Sequence, residues 1–147
     1  MSTHSYVKNY LHVIWCTYER QRLLFTDLRL LLFDHLKMKL SEIGVNSERI
    51  NIQPEHVHLL IELPSDKCVA DVVRQLKGES SNWINDNNLI RDKFRWSRGF
   101  AAFSISASQL DRVKHYISNQ EEHHRSRSFI DEYMEFVEKY GFTYDDK

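Results

Sequence analysis

Glu55-His56-Val57-His58-Leu59-Leu60-Ile61-Glu62-Leu63 is the stretch on which the fold turns. Side chains alternate along a strand, so Val57, Leu59, Ile61 and Leu63 share one face while His56 and His58 share the other. The pattern predicts a strand over residues 56–63 with its apolar face in the core and two neighbouring imidazoles on the opposite side. Just upstream, Arg49 to Gln53 reads as a partner strand. The join falls at Pro54, which lacks an N–H and is tolerated at a strand end or turn, so the pair is expected to form an antiparallel hairpin.

Further upstream, Leu28, Leu31, Leu32, Leu36, Leu40 and Ile43 recur at helical spacing. Thr26 or Asp27 is expected to cap this helix and Gly44 to end it. Residues 10–17 alternate with Leu11, Val13 and Trp15 on one side and Tyr10, His12, Ile14 and Cys16 on the other, as in a central strand. Downstream, Val69, Val72, Val73, Leu76, Trp83 and Ile84 form the apolar face of a helix running to about Asn85, weakened in the middle by Gly78. Trp96 to Ile105 reads as another strand. Ser108 with Asp111 resembles a capping box opening a helix from Gln109 to about His124, and a last amphipathic helix is expected from Phe129 to Tyr140. The order β-α-β-β-α-β-α-α places the chain in the α+β class. It predicts a ferredoxin-like βαββαβ antiparallel sheet with helices on one face plus C-terminal helices.

The chain has 147 residues and is 41% hydrophobic, enough for one domain spanning residues 1–147 with a packed core. Its net charge of −1 argues at first against a polyanionic partner. Residues 128–147, an acidic helix and tail within that domain, hold six acidic and two basic residues; the other 127 positions carry 18 basic against 15 acidic. A nucleic-acid partner is therefore permitted for the remainder. Cys16 and Cys68 form no paired motif, so neither a disulfide framework nor a zinc-thiolate site is expected, and a reducing cytoplasm fits. The N-terminus lacks a signal-peptide layout, and no apolar run approaches the roughly 20 residues of a membrane span, so no membrane association is expected.

Two histidines on one strand face suit a shared divalent ion, although alone they also fit two partly exposed histidines beside a sheet. There is no HExxH, and a histidine-triad hydrolase would want a third histidine where this chain has Leu60. A nucleophile or further ligand must come from elsewhere. The helix after the last strand offers Tyr116-Ile117-Ser118-Asn119-Gln120, with residues 116 and 120 on one face and Arg112 behind them, opposite an apolar face at Leu110, Val113 and Ile117. A tyrosine at a core edge is the plain alternative. Arg91-Asp92-Lys93-Phe94-Arg95-Trp96-Ser97-Arg98 interleaves four cations with two aromatics, a combination that binds unpaired bases and phosphates but also describes a loop anchored in the core by Phe94 and Trp96.

Taken together, HxH on a strand and YxxxQ on a later helix resemble the single-tyrosine His-hydrophobe-His transposases of minimal insertion sequences, close to the REP-associated tyrosine transposases. The resemblance runs through nearly the whole chain. Leu11-His12-Val13-Ile14-Trp15 with Thr17 and Arg20 looks like the opening strand, Glu55 to Pro64 the metal strand, and Leu76 to Ser81 the second helix; Trp96 to Phe100 and Tyr116 to Gln120 follow in the family's order. Tyr18 departs from it, standing where relatives often carry lysine.

The resemblance implies that Tyr116 attacks single-stranded DNA to leave a 5′-phosphotyrosine, and that His56, His58 and Gln120 hold Mg²⁺ or Mn²⁺. It implies a DNA partner with a hairpin, met by Arg20, Arg74, Lys77, Lys93, Arg95, Arg98 and Arg112, with His123, His124, Arg125 and Arg127 extending the path. A homodimer with shared active sites is also implied. Two other readings compete: a domesticated relative that binds hairpin DNA without transposition, and an RNA-binding module on the same strand order. Against the second, the aromatic strand motif of RNA-recognition domains is missing.

Overall fold

The computed structural model describes residues 5–120 and 128–140. Strand β1 (Tyr10–Cys16) is followed by helix α1 (Thr26–Glu42), strands β2 (Asn46–Ile52) and β3 (His56–Glu62), helix α2 (Val69–Asp86), strand β4 (Ala101–Ile105), and helices α3 (Leu110–Ser118) and α4 (Phe129–Lys139). The strands form one sheet in the order β2-β3-β1-β4, every neighbouring pair antiparallel. This is the expected α+β, ferredoxin-like arrangement.

The sheet is covered on both sides. Leu11, Val13 and Trp15 of β1 and Val57, Leu59 and Ile61 of β3 pack with Leu28, Leu32, Leu36 and Leu40 of α1 and Val72, Val73, Leu76 and Ile84 of α2. Each large aliphatic side chain buried there stabilises the fold by about 1.5–3 kcal/mol relative to exposure. On the opposite side, Ile14 and Phe103 meet Phe129 of α4, with Tyr133 and Phe136 beside them. Thus α1 and α2 are the helices on one face, and the C-terminal α4 closes the other.

Boundaries depart from the sequence expectation where side chains override local pattern. Trp96 does not begin β4: it makes an isolated bridge to Thr17, and Gly99 at φ 79° turns the chain before the strand starts at Ala101. Phe94 and Trp96 instead anchor a loop. The Asn85 side chain brackets Phe94 by accepting from its N–H at 2.7 Å and donating to its carbonyl at 2.9 Å, while Trp96 Nε1 donates to buried Ser80 at 3.0 Å. The core reading of these two aromatics is therefore correct: they are 1% and 8% exposed.

No side-chain cap forms at Ser108, because residues 107–109 make a 3-10 turn that leads directly into α3. Thr26 lies inside α1, whose N-cap position is Phe25. Leu31 is half exposed and outside the core stripe. Gly44, at φ 77°, does end α1. α3 stops at Ser118, short of the expected His124, because Asn119 leaves helical geometry at φ −102° and ψ 30°, so Gln120 lies beyond it; the cations from His123 to Arg127 and the acidic tail beyond Tyr140 lie outside the described residues. Cys16 and Cys68 are free thiols, and among the described residues no helix is long and apolar enough to cross a membrane.

Candidate active site

β3 turns His56 and His58 to the α4 side of the sheet, as its two-residue period requires, and both are fully buried rather than partly exposed. Each has its Nδ1 occupied. Glu55, immediately before the strand, accepts from His56 Nδ1 at 2.6 Å through Oε1, and its Oε2 accepts from Arg22 Nη1 at 2.8 Å. The Thr17–Gln21 turn carries Arg22 towards this position. Thr17 N–H donates to the Glu55 carbonyl at 2.9 Å and its hydroxyl to the Gln21 carbonyl at 2.6 Å, while Glu19 and Arg20 adopt φ of 53° and 55°.

His58 Nδ1 lies 2.8 Å from Nε2 of His12, a buried β1 residue diagonal to it across the Ile14–His58 pair, and the two rings are stacked. Burial pushes the His12 pKa well below the ordinary histidine value, His58 adding to the shift and Glu132 opposing it. Neutral His12 can accept a hydrogen bond through Nε2. With His58 Nδ1–H donating to it, His58 Nε2 keeps its lone pair, as His56 Nε2 does when His56 Nδ1–H donates to Glu55.

Those two nitrogens are joined by a carboxylate that sequence reading missed. Glu132 of α4 is fully buried, with Oε1 at 3.1 Å from His58 Nε2. One ligand atom each from His56, His58 and Glu132 lies within 4.8 Å of the others, a spacing that one divalent ion can bridge. α4 is seated by Phe129, whose ring stacks on His56 at 3.9 Å. The donor set therefore fits a metal: two neutral imidazoles oriented through their far nitrogens, and one carboxylate.

Tyr116 enters from α3. Its ring stands edge-on to His58 at 6.5 Å and to Phe136 at 5.6 Å, with its hydroxyl buried. Gln120 is fully buried just past the end of α3, and its amide nitrogen lies 3.5 Å from the Tyr116 carbonyl. The fold thus gathers His56, His58 and Tyr116 on one side of the sheet and adds Glu132, Glu55 and His12.

The cations implied for DNA are more dispersed. Lys93, Arg95 and Arg98 are exposed on the loop before β4, Arg95 lying over the Tyr18 ring at 3.7 Å. Lys77 turns towards that loop and donates to the Ser97 and Gly99 carbonyls at 2.8 and 2.6 Å; burial lowers its pKa. Arg74 pairs with Asp71 on the outer face of α2, Arg20 is exposed in the turn after β1, and Arg112 is exposed on α3.

The model of the family described as "Transposase IS200 like" matches residues 5–120, all of the sheet and the Tyr116 helix. The chain belongs to the IS200-like transposase family. It is 25% identical to the ISDra2 transposase TnpA of Deinococcus radiodurans over 114 residues, 74% of this chain and 81% of that protein. The crystal structure of a proposed transposase from Deinococcus radiodurans superposes with a TM-score of 0.67 at 22% identity, covering 82% of this chain and 96% of that one. A REP-associated tyrosine transposase bound to a REP hairpin superposes with a TM-score of 0.61 at 19% identity, covering 84% and 73%. The last two likenesses establish the fold.

Proposed function

We propose that this transposase-family chain cuts and rejoins single-stranded DNA through Tyr116, using Mg²⁺ or Mn²⁺ held by His56, His58 and an oxygen ligand. The reading rests on one observation: Tyr116 faces His58 on the side of the sheet where ligand atoms of His56, His58 and Glu132 converge. Gln120, buried two residues beyond the end of α3, is the further oxygen ligand that the family resemblance implies.

In the reaction, the Tyr116 oxygen bonds to phosphorus and gives up its proton. The bond from phosphorus to the 3′-oxygen breaks, and that oxygen gains a proton, leaving a 3′-hydroxyl and a 5′-phosphotyrosine. One phosphodiester is kept for each one cut, so attack by a new 3′-hydroxyl reverses the step without ATP. A divalent ion, when bound, polarises the phosphate and stabilises the leaving oxygen. The protein's part is to hold the phenol, whose pKa is ordinarily about 10, against the phosphate in a water-poor setting. Glu55 and His12 fix the imidazoles, Phe136 packs against the tyrosine ring, and Lys93, Arg95 and Arg98 neutralise the strand approaching along the loop before β4. Lys77 acts by shaping that loop.

By analogy with the neighbour bound to a REP hairpin, the DNA partner carries a hairpin. The family resemblance also implies a homodimer in which the tyrosine helix of one subunit completes the site of the other. Within one chain, Tyr116 and His58 already face each other, so exchange requires α3 to swing out. Mixing Tyr116→Phe with His58→Ala protein tests this: restored cleavage establishes exchange, and none restricts each site to one chain.

The reading itself is tested by incubating the protein with single-stranded oligonucleotides from its own gene flanks in Mn²⁺ or Mg²⁺. The expected product is a denaturation-resistant protein–DNA adduct that needs metal and Tyr116. Binding without any adduct on all flanking strands would leave a DNA-binding relative that no longer cuts.

A further inference from the structure

A cavity of about 180 Å³ opens beside the tyrosine on the side away from His56, and no step proposed above uses it. Its floor and inner wall are His12, Ile105, Val113, Tyr116 and Phe136; its exposed rim carries Arg112, Lys139, Glu135 and Tyr140. We propose that this cavity binds one unstacked nucleobase of the single-stranded DNA, next to the phosphodiester that Tyr116 attacks. The proposal rests on the tyrosine's role as nucleophile and extends it to a base-binding pocket.

The volume lies below the roughly 300 Å³ at which pockets for drug-sized ligands begin, so it suits a single ring system rather than a whole nucleotide or a base pair. The walls are aromatic and aliphatic, which favours the face of a base over a phosphate. Phe136 is edge-on to His12 at 5.3 Å and to Tyr116 at 5.6 Å, and Tyr140 is backed by Phe103 at 4.5 Å, so the aromatic lining is held in place.

Charge sets the orientation. Arg112 and Lys139 at the mouth suit the phosphates flanking an inserted base, and Glu135 beside them can accept from an exocyclic amine. Position completes the case, because Tyr116 borders both the cavity and the metal-ligating side of the sheet. A phosphate at the phenol therefore has the cavity beside it, and a neighbouring base with no partner strand is free to turn into it.

The test uses full-length Tyr116→Phe protein, which binds without cutting, and a flanking oligonucleotide whose cleavage position has been mapped with the wild-type protein. An abasic site is moved through the strand one nucleotide at a time and binding is measured at each position. Loss of the base adjacent to the cleaved bond is expected to weaken binding about tenfold, the scale of one stacked base. In a Val113→Phe background, which fills the cavity, that penalty should shrink to less than about twofold. Tyr140→Ala, at an exposed rim position, should reduce it similarly even if the filled variant folds poorly. A flat abasic profile around the cleaved bond, or a tenfold penalty unchanged in both variants, overturns the pocket while leaving Tyr116 as the nucleophile. If the wild-type protein forms no adduct on any flanking strand, the underlying reading fails and the pocket fails with it.

Discussion

Val57, Leu59 and Ile61 on one face of β3 and His56, His58 and Leu60 on the other are all withdrawn from water, yet what covers them differs. The first set meets leucines and valines of α1 and α2, which need only to be apolar and of fitting volume. The second set brings four imidazole nitrogens, each needing a particular partner. Those partners come from separate parts of the chain: Glu55 from the preceding turn, His12 from β1 and Glu132 from α4. One face is held by bulk and the other by individually placed atoms. Substitutions on the first should therefore cost stability, and those on the second should cost chemistry.

The largest effect is expected on the polar side. Tyr116→Phe removes one oxygen and should lower the rate of DNA cleavage by about three orders of magnitude or more, with the melting temperature nearly unchanged. A comparable fall in stability would show that the buried hydroxyl is structural. On the apolar face, Leu59→Ala should cost about 2–5 kcal/mol in a denaturant titration. Any of that variant that remains folded should still take up Mn²⁺ like the wild type; weakened uptake would mean that the two faces are not separable.

Glu55→Gln sharpens the comparison at a single hydrogen bond. It leaves the size of the side chain almost unchanged but weakens the hold on His56, and should reduce Mn²⁺ affinity about 10–100-fold by titration calorimetry. Unchanged affinity would make the Arg22–Glu55–His56 chain a structural tie only. The smallest change is expected far from both faces: Arg74→Ala breaks an exposed pair with Asp71 and should shift stability by no more than about 0.5 kcal/mol. A large loss of single-strand binding in that variant would place DNA across the outer surface of α2.

The same contrast explains what was legible beforehand. Strand order, the apolar faces of α1 and α2 and the pairing of His56 with His58 follow from periodicity within a few residues. Tyr116 and Gln120 came into view as a helical pair together with a family resemblance. Glu132 did not, because a carboxylate on the polar side of an amphipathic helix looks like any solvated acid until the sheet beneath is known. His12 was placed on the correct face of β1, but its meeting with His58 depends on the register between β1 and β3, which no local pattern encodes. Trp96 read as a strand residue because β-propensity cannot foresee that its indole N–H is taken by Ser80. Glu55 was the one partner within reach of sequence reading, since it directly precedes the motif.

The account stands or falls on which atom joins the DNA. Wild-type protein is incubated with Mn²⁺ and the reactive flanking oligonucleotide, digested, and the DNA-linked peptide is sequenced by mass spectrometry. Among the chain's seven tyrosines, the account predicts a 5′-phosphate carried by Tyr116 alone. A link to another tyrosine, or cleavage with no covalent link, would contradict it.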